Sequence, residues 1–239
     1  MTTVQIKRQG LNPTVVLLSA GVGNRIKTNE PRALIKYKNS CIIDHQIKTI
    51  DNSFNGCEII VVCGYDSHRI SKRTEKYKNV RIVENELYEK TGAASSLRLA
   101  LNNTKNDKVL FIHGDIIFNG ETIRNADYSR SFLAIDSLGM MNEREVGVVI
   151  KDNKLASNLS FGLKDQPRWC QIAYLTGDEL KAAKKNININ SDFNKKQLTF
   201  EFLNTIISCG GEFKCYEPKN MKIFELDSMR EFLEEQVNI

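Results

Sequence analysis

Residues 14–25 read TVVLLSAGVGNR. The first six, TVVLLS, are mostly apolar, do not alternate, and are too few for a typical globular helix. A strand buried on both faces of a sheet has this pattern. The run ends at Ala20-Gly21-Val22-Gly23-Asn24-Arg25, where two glycines break the strand. Further along, Ile43, Ile47 and Ile50 fall at i, i+4 and i+7, which predicts an amphipathic helix over 44–51. EIIVVC (58–63) is a second buried strand, closed by Gly64-Tyr65-Asp66. A charged helix over 68–77, a strand over 80–84 and a helix from Ala93 follow, the last with Ala93, Leu97, Ala100 and Leu101 on one face. VLFIH (109–113) then runs straight into Gly114-Asp115. Alternating strands and helices imply a parallel sheet with crossover helices, an α/β fold.

The second half reads differently. Residues 131–136, 146–150, 154–160 and 170–175 look like strands with few helices between them, an antiparallel or mixed extension of the sheet. Helices return over 178–185 and 197–208. A last strand over 221–226 leads into a short C-terminal helix with Met229, Phe232, Leu233 and Val237 on one face.

Composition narrows the class. The 239 residues carry 34 Lys and Arg against 29 Asp and Glu, a net charge of +5, with 41% hydrophobic and 26% charged residues. Disorder, collagen and low complexity are excluded. With no repeat or linker in view, a single domain over 1–239 is expected. No apolar run approaches the roughly 20 residues of a membrane span, and 1–13 lacks the apolar stretch of a secretory signal. Cys41, Cys57, Cys63, Cys170, Cys209 and Cys215 form no C-x-x-C pair, and there are three histidines, His45, His68 and His113. This argues against structural zinc and for reduced, mostly buried thiols in a cytoplasmic protein. The mild positive charge permits anionic partners without requiring them. The basic run HRISKRTEKYKNVR (68–81) is interrupted by Glu75 and reads as a solvated helix face, so no nucleic-acid partner is expected.

Open α/β sheets hold ligands outside the carboxyl ends of their strands. Three such ends carry suggestive chemistry: the 20–25 loop, Asp115, and Glu225 with Asp227. In the loop, two glycines allow close backbone approach, and successive N–H groups can cradle an anion. It is not a dinucleotide fingerprint, because Ile26 stands where G-x-G-x-x-G needs its third glycine. It is not a phosphate-binding P-loop either. Ile26 replaces the glycine before Lys27-Thr28, and Pro31 disfavours helix where the P-loop helix would run. Glu225 and Asp227 point to one side if their segment is extended. A strand-end Asp is otherwise a turn residue bonding its own backbone.

The order of motifs resembles the nucleotidylyltransferases that act on sugar phosphates and choline phosphate. The matching residues are Leu18-Ser19-Ala20-Gly21, then Gly21-x-Gly23-x-Arg25, then Pro31-Arg32-Ala33-Leu34. Val62-Cys63-Gly64-Tyr65, Asn85-x-x-Tyr88-x-x-Thr91 with Ser95-Ser96-Leu97, Gly114-Asp115, and Glu225-Leu226-Asp227 continue it, so that it spans about residues 14–235. The resemblance implies a three-layer α/β/α nucleotide-binding fold with a mostly parallel mixed sheet, like that of GT-A-type nucleotidyltransferases. In it, 1–13 would be an extension, 14–128 the nucleotide-binding part, 129–220 the acceptor-binding part, and 221–239 the metal-site strand and helix. It implies transfer of a nucleotidyl group, CMP from CTP by first choice or from another NTP, to a phosphorylated small molecule. A phosphate oxygen of the acceptor would attack the α-phosphorus in line, and pyrophosphate would leave. Such chemistry needs positioning and charge neutralisation more than a protein nucleophile. By the same resemblance Leu18, Ser19, Ala20, Gly21, Gly23, Asn24, Thr91 and Ser95 would hold the nucleotide. Arg25 and Arg32 would face its phosphates, and Asp115 with Asp227 or Glu225 would hold Mg²⁺, a hard cation that prefers carboxylates. Thr91 and Ser95 also lie where plain helix caps are expected.

Two departures stand out. Arg32 occupies the place of the family's Lys; it keeps the charge but is bulkier and forked. Lys36 and Lys38 could supply an ammonium instead, or lie on an exposed hairpin face. The choline branch carries a Gly-Glu-Tyr stretch, whereas 168–174 here is RWCQIAY, without an acid. Arg168, Trp169 and Tyr174 are the acceptor candidates: Arg168 would favour an acidic acceptor, and Trp169 could hold a cation by its face or be core. His113 reads as a strand-end residue. A nucleotide-binding regulator that has lost turnover, and a glycosyltransferase, are the rival readings. The latter usually shows D-x-D, and Gly114-Asp115-Ile116-Ile117 lacks the second Asp. A homodimer is left open.

Overall fold

The computed structural model describes residues 12–22, 30–138, 143–185 and 195–226. Strand β1 (Thr14–Ser19) lies at the middle of a parallel block, between β4 (Ile59–Cys63) and β6 (Lys108–His113), with β5 (Val80–Glu84) outside β4. The short hairpin β2 (Lys36–Tyr37) and β3 (Ser40–Cys41) stands apart from this sheet. So does the pair made by β7 (Ile116–Phe118) and β13 (Ile223–Glu225).

The sheet continues without a break into the second half. Its nine strands run β5-β4-β1-β6-β11-β8-β12-β10-β9, with β8 Phe132–Asp136, β9 Val146–Lys151, β10 Leu155–Phe161, β11 Arg168–Thr176 and β12 Lys214–Tyr216. β11 is antiparallel to both β6 and β8, so the expected mixed extension is present. The register of β11 slips between Trp169 and Ala173, where Gln171 takes a left-handed φ of 57°. Beyond this bulge Arg168 pairs with Gly147 of β9, and the far edge of the sheet curls back on itself.

Alternate residues of β1, β4 and β6 feed two cores, one on each face of the sheet, which makes the molecule three-layered. Val16, Leu18, Ile60, Val62 and Phe111 face α3 (Ala93–Asn102), α5 (Gly177–Lys185) and α6 (Thr199–Ser208). Val15, Leu17, Ile59, Val61 and Leu110 face α1 (Ile42–Phe54), with Ile70 of α2 (Ser67–Thr74) and Ile123 of α4 (Glu121–Arg124) completing that layer. β1 is buried along its whole length, as its unbroken apolar run requires. The strand expected over 221–226 is shorter, and the C-terminal helix expected after it lies outside the described residues. Five cysteines are buried and Cys209 is exposed; none is in a disulfide. Burial pushes the Cys63 thiol up to about 11 and that of Cys170 to about 12, so both are neutral core residues. Among the described residues no helix is long and apolar enough to cross a membrane.

Candidate active site

The parallel register sets Ser19 beside Cys63, Cys63 beside Glu84, and Leu18 beside His113. The loops after β1, β4, β5 and β6 therefore open on one edge. Gly114 makes the closest approach there. Its N–H donates to Leu18 O at 2.9 Å, and a Cβ on it would fall 2.7 Å from that oxygen and nearer still to Ser19 Oγ. Only glycine lets the turn after β6 lie against β1. Gly64 plays the same part beside β4, where a Cβ would meet Tyr88 Cβ at 2.6 Å.

This turn delivers Asp115 to the edge. Arg32, on a 3-10 turn (Arg32–Leu34) that follows Pro31, donates from Nη1 to Asp115 Oδ2. The two side chains are only 16% and 17% exposed, so the pair is largely shielded from water. Asp115 Oδ1, Arg32 Nε and Ser19 Oγ are all buried without a hydrogen-bond partner among the described residues. The β7–β13 pair brings Glu225 opposite Ile116, and the Leu226 N–H donates to Asp115 O at 2.8 Å. Asp227 lies outside the described residues, as do Gly23, Asn24 and Arg25.

Of the other nucleotide candidates, Leu18, Ser19 and Ala20 have buried side chains and offer the edge their backbone. Gly21 is exposed, with nothing described within 4 Å of where its Cβ would lie. Thr91 and Ser95 do not cap α3, whose N-cap is Gly92. Thr91 donates to Leu87 O at 2.8 Å and Ser95 to Lys195 O at 3.2 Å. The residue that organises this loop is Asn85. Its buried amide donates to Thr91 Oγ1 and Ser96 Oγ, and its carbonyl accepts from the Leu87 N–H. It stood in the N-x-x-Y-x-x-T motif, yet only contacts across the loop reveal this role.

The acceptor candidates are placed differently from the expectation. Tyr174 is fully buried, its hydroxyl donating to Tyr128 O at 3.1 Å, and Trp169 is 3% exposed, donating from Nε1 to Ile172 O at 3.0 Å. Both belong to the core, because β11 is covered on both faces; neither presents a surface to an acceptor. Arg168 is held by Asp136 and Glu145, each at 2.9 Å, so its charge is already matched twice. His113 is half-buried, hydrogen-bonded to Thr199 Oγ1 at 2.9 Å, and burial lowers its pKa. Lys36 and Lys38 lie exposed on the β2–β3 hairpin. A groove of about 1730 Å³, lined by Lys38, Ile117, Asp136, Glu217 and Phe224 among others, adjoins the site through β7 and β13. Asp115 is not in its wall.

The described residues hold no group of three or more His, Cys, Asp or Glu side chains able to bind a metal. Asp115 and Glu225 nevertheless suit Mg²⁺, which takes one or two carboxylates and fills its shell with water and substrate phosphates. The orphaned Asp115 oxygen is a free ligand atom of the right kind.

Residues 15–126 match the MobA-like NTP transferase domain. Over 101 residues the chain is 35% identical to the bifunctional protein GlmU of Thermodesulfovibrio yellowstonii, covering 42% of this chain and 22% of that one. The chain spans less than a third of the length of the curated relatives it matches. In structure it is similar to the CTP:phosphocholine cytidylyltransferase LicC of Streptococcus pneumoniae, with a TM-score of 0.79, 21% identity, and 94% and 98% of the two chains covered. The inositol-1-phosphate CTP transferase of T. maritima shares the fold with a TM-score of 0.78, 15% identity and 96% of both chains covered. The chain thus resembles nucleotidyltransferases in sequence over its first half and has their α/β fold over nearly its whole length.

Proposed function

We propose that this protein is a Mg²⁺-dependent nucleotidylyltransferase. It transfers a nucleotidyl group, CMP from CTP by first choice, to a phosphorylated small molecule and releases pyrophosphate. The observation that carries this reading is the Asp115–Arg32 pair with its three unpartnered polar atoms at the carboxyl edge of β1 and β6. A carboxylate and a guanidinium side by side suit a substrate that brings both a cation and phosphates.

In this reading the triphosphate meets the backbone after β1 at the exposed Gly21, where no described atom lies within 4 Å of a would-be Cβ. Arg32 neutralises and orients it through its forked donors. Asp115, with Glu225 or Asp227, would hold the metal, which would supply charge neutralisation at the phosphates. Asn85 fixes the Thr91–Ser96 loop against which the base and ribose rest. Two solved structures of the same fold name CTP in their activity, which supports CTP as donor, and both name a phosphorylated acceptor. The reading places the protein in the cytoplasm, working on small molecules without nucleic acid or membrane; a homodimer is left open. Pyrophosphate release across the four NTPs and a panel of phosphorylated acceptors tests it. Release with CTP and one acceptor class is expected, and none with any pair would overturn it.

A further inference from the structure

Nearly every buried polar atom in a folded protein has a partner. The Asp115–Arg32 pair and Ser19, which lies against Gly114, form a cluster in which Asp115 Oδ1, Arg32 Nε and Ser19 Oγ have no partner among the described residues, and this edge can take a polar ligand. The two charged members of that cluster are at present spent on each other. Among the described residues no group of three ligating side chains surrounds Asp115. The cation that stands against it is Arg32.

We infer that Arg32 is the internal counter-cation of Asp115: it occupies the metal carboxylate until a triphosphate draws the guanidinium away, so that metal and nucleotide bind as a unit. The backbone of Arg32 is fixed by bonds from Leu34 N–H to Pro31 O at 2.8 Å and from Ile35 N–H to Arg32 O at 3.1 Å. The exchange is thus a swing of one side chain. Arginine suits it, because the fork can hold Asp115 by one nitrogen and still offer donors to a phosphate. Free metal is kept off the carboxylate, and the carboxylate is not left bare in a site that excludes water. This deepens the proposed function and rests on it.

The test uses the full chain and inorganic tripolyphosphate, a probe that carries no base. With metal removed by EDTA, Asp115→Asn is expected to bind tripolyphosphate roughly 10-fold more tightly than the wild-type chain, because Arg32 is released. In an Arg32→Gln background the same Asp115→Asn change is expected to give no such gain. Arg32→Gln alone, shown to be folded by circular dichroism, is expected to bind Mn²⁺ about 10-fold more tightly without nucleotide, read from the loss of the free Mn²⁺ paramagnetic signal. No gain in Asp115→Asn, or a gain that persists undiminished in the Arg32→Gln background, overturns the inference. If these gains are seen but no NTP yields pyrophosphate, the counter-cation stands and the transferase reading falls. If the wild-type chain releases pyrophosphate and the gains are absent, the inference alone falls.

Discussion

Asp115 and Arg32 are 83 residues apart in sequence, and nothing in either motif says that they touch. By the family resemblance their types are those of a metal carboxylate and a phosphate cation, the roles proposed for them above. Their pairing was not legible, because it depends on where the turn after Pro31 folds. Gly114 is the residue that sets Asp115 in place. Gly114→Ala is expected to cost about 1–3 kcal/mol of stability, since its methyl would press on the Leu18 carbonyl. It is also expected to lower pyrophosphate release by roughly 10-fold or more through the displaced carboxylate. Thermal unfolding and initial rates check the two effects; unaltered values for both would mean that the close approach is unimportant. Trp169 and Tyr174 show the opposite limit. Aromatic residues in an apolar strand carry equal promise as core and as ligand contacts, and only the layers on both faces of β11 decide for core.

At the scale of elements, the hairpin that follows Arg32 is tied down by a buried acid, Asp44, in the first turn of α1. Its carboxylate accepts from Ser40 Oγ at 2.6 Å, Tyr77 Oη at 2.7 Å and Arg73 Nε at 2.7 Å, and pairs with Lys76 at 2.7 Å, joining β3, α1 and α2. Burial would raise its pKa, but the hydrogen bonds from Cys41, Lys76, Ser40 and Tyr77 outweigh it and hold the carboxyl well below its usual range. Asp44→Asn is expected to destabilise the fold by about 2–4 kcal/mol in urea titrations. A group with a depressed folded pKa stabilises above its unfolded value, near 3.9, and that contribution fades as the pH falls below it. The wild-type chain is therefore expected to lose more stability than Asp44→Asn between about pH 5 and pH 2; parallel curves would contradict this role. A second tie joins α3 to the chain before α6. The Gly92 N–H donates to Lys195 O at 2.6 Å, and a Cβ there would sit 2.5 Å from Lys196 O. Gly92→Ala is expected to raise hydrogen exchange at the amides of residues 92 and 94, which donate to Lys195 O and Gln197 O, by roughly 10-fold, and unchanged protection would refute the tie. The longer elements were readable, α1 from its helical period and β1, β4 and β6 from unbroken apolar runs. β7, α4 and β12 were not, because three or four residues define no period.

At the scale of the molecule, the alternation through residue 113 gives the parallel block, and the strand-rich second half gives its antiparallel continuation. What the pattern could not show is the curl that returns β9 to β11, since that depends on a bulge at Gln171 rather than on any apolar run. The architecture sets the described ligand candidates after β1, β5 and β6 on one edge and divides the buried residues of β1, β4 and β6 between two cores. The activity proposed for that edge has one decisive readout. Pyrophosphate release from CTP with Mg²⁺ and a phosphorylated acceptor is to be measured for the wild-type chain and for Asp115→Ala. The expected result is release by the wild-type chain that falls by roughly 10²-fold or more in the variant. Equal rates in the two would contradict nucleotidyl transfer at Asp115.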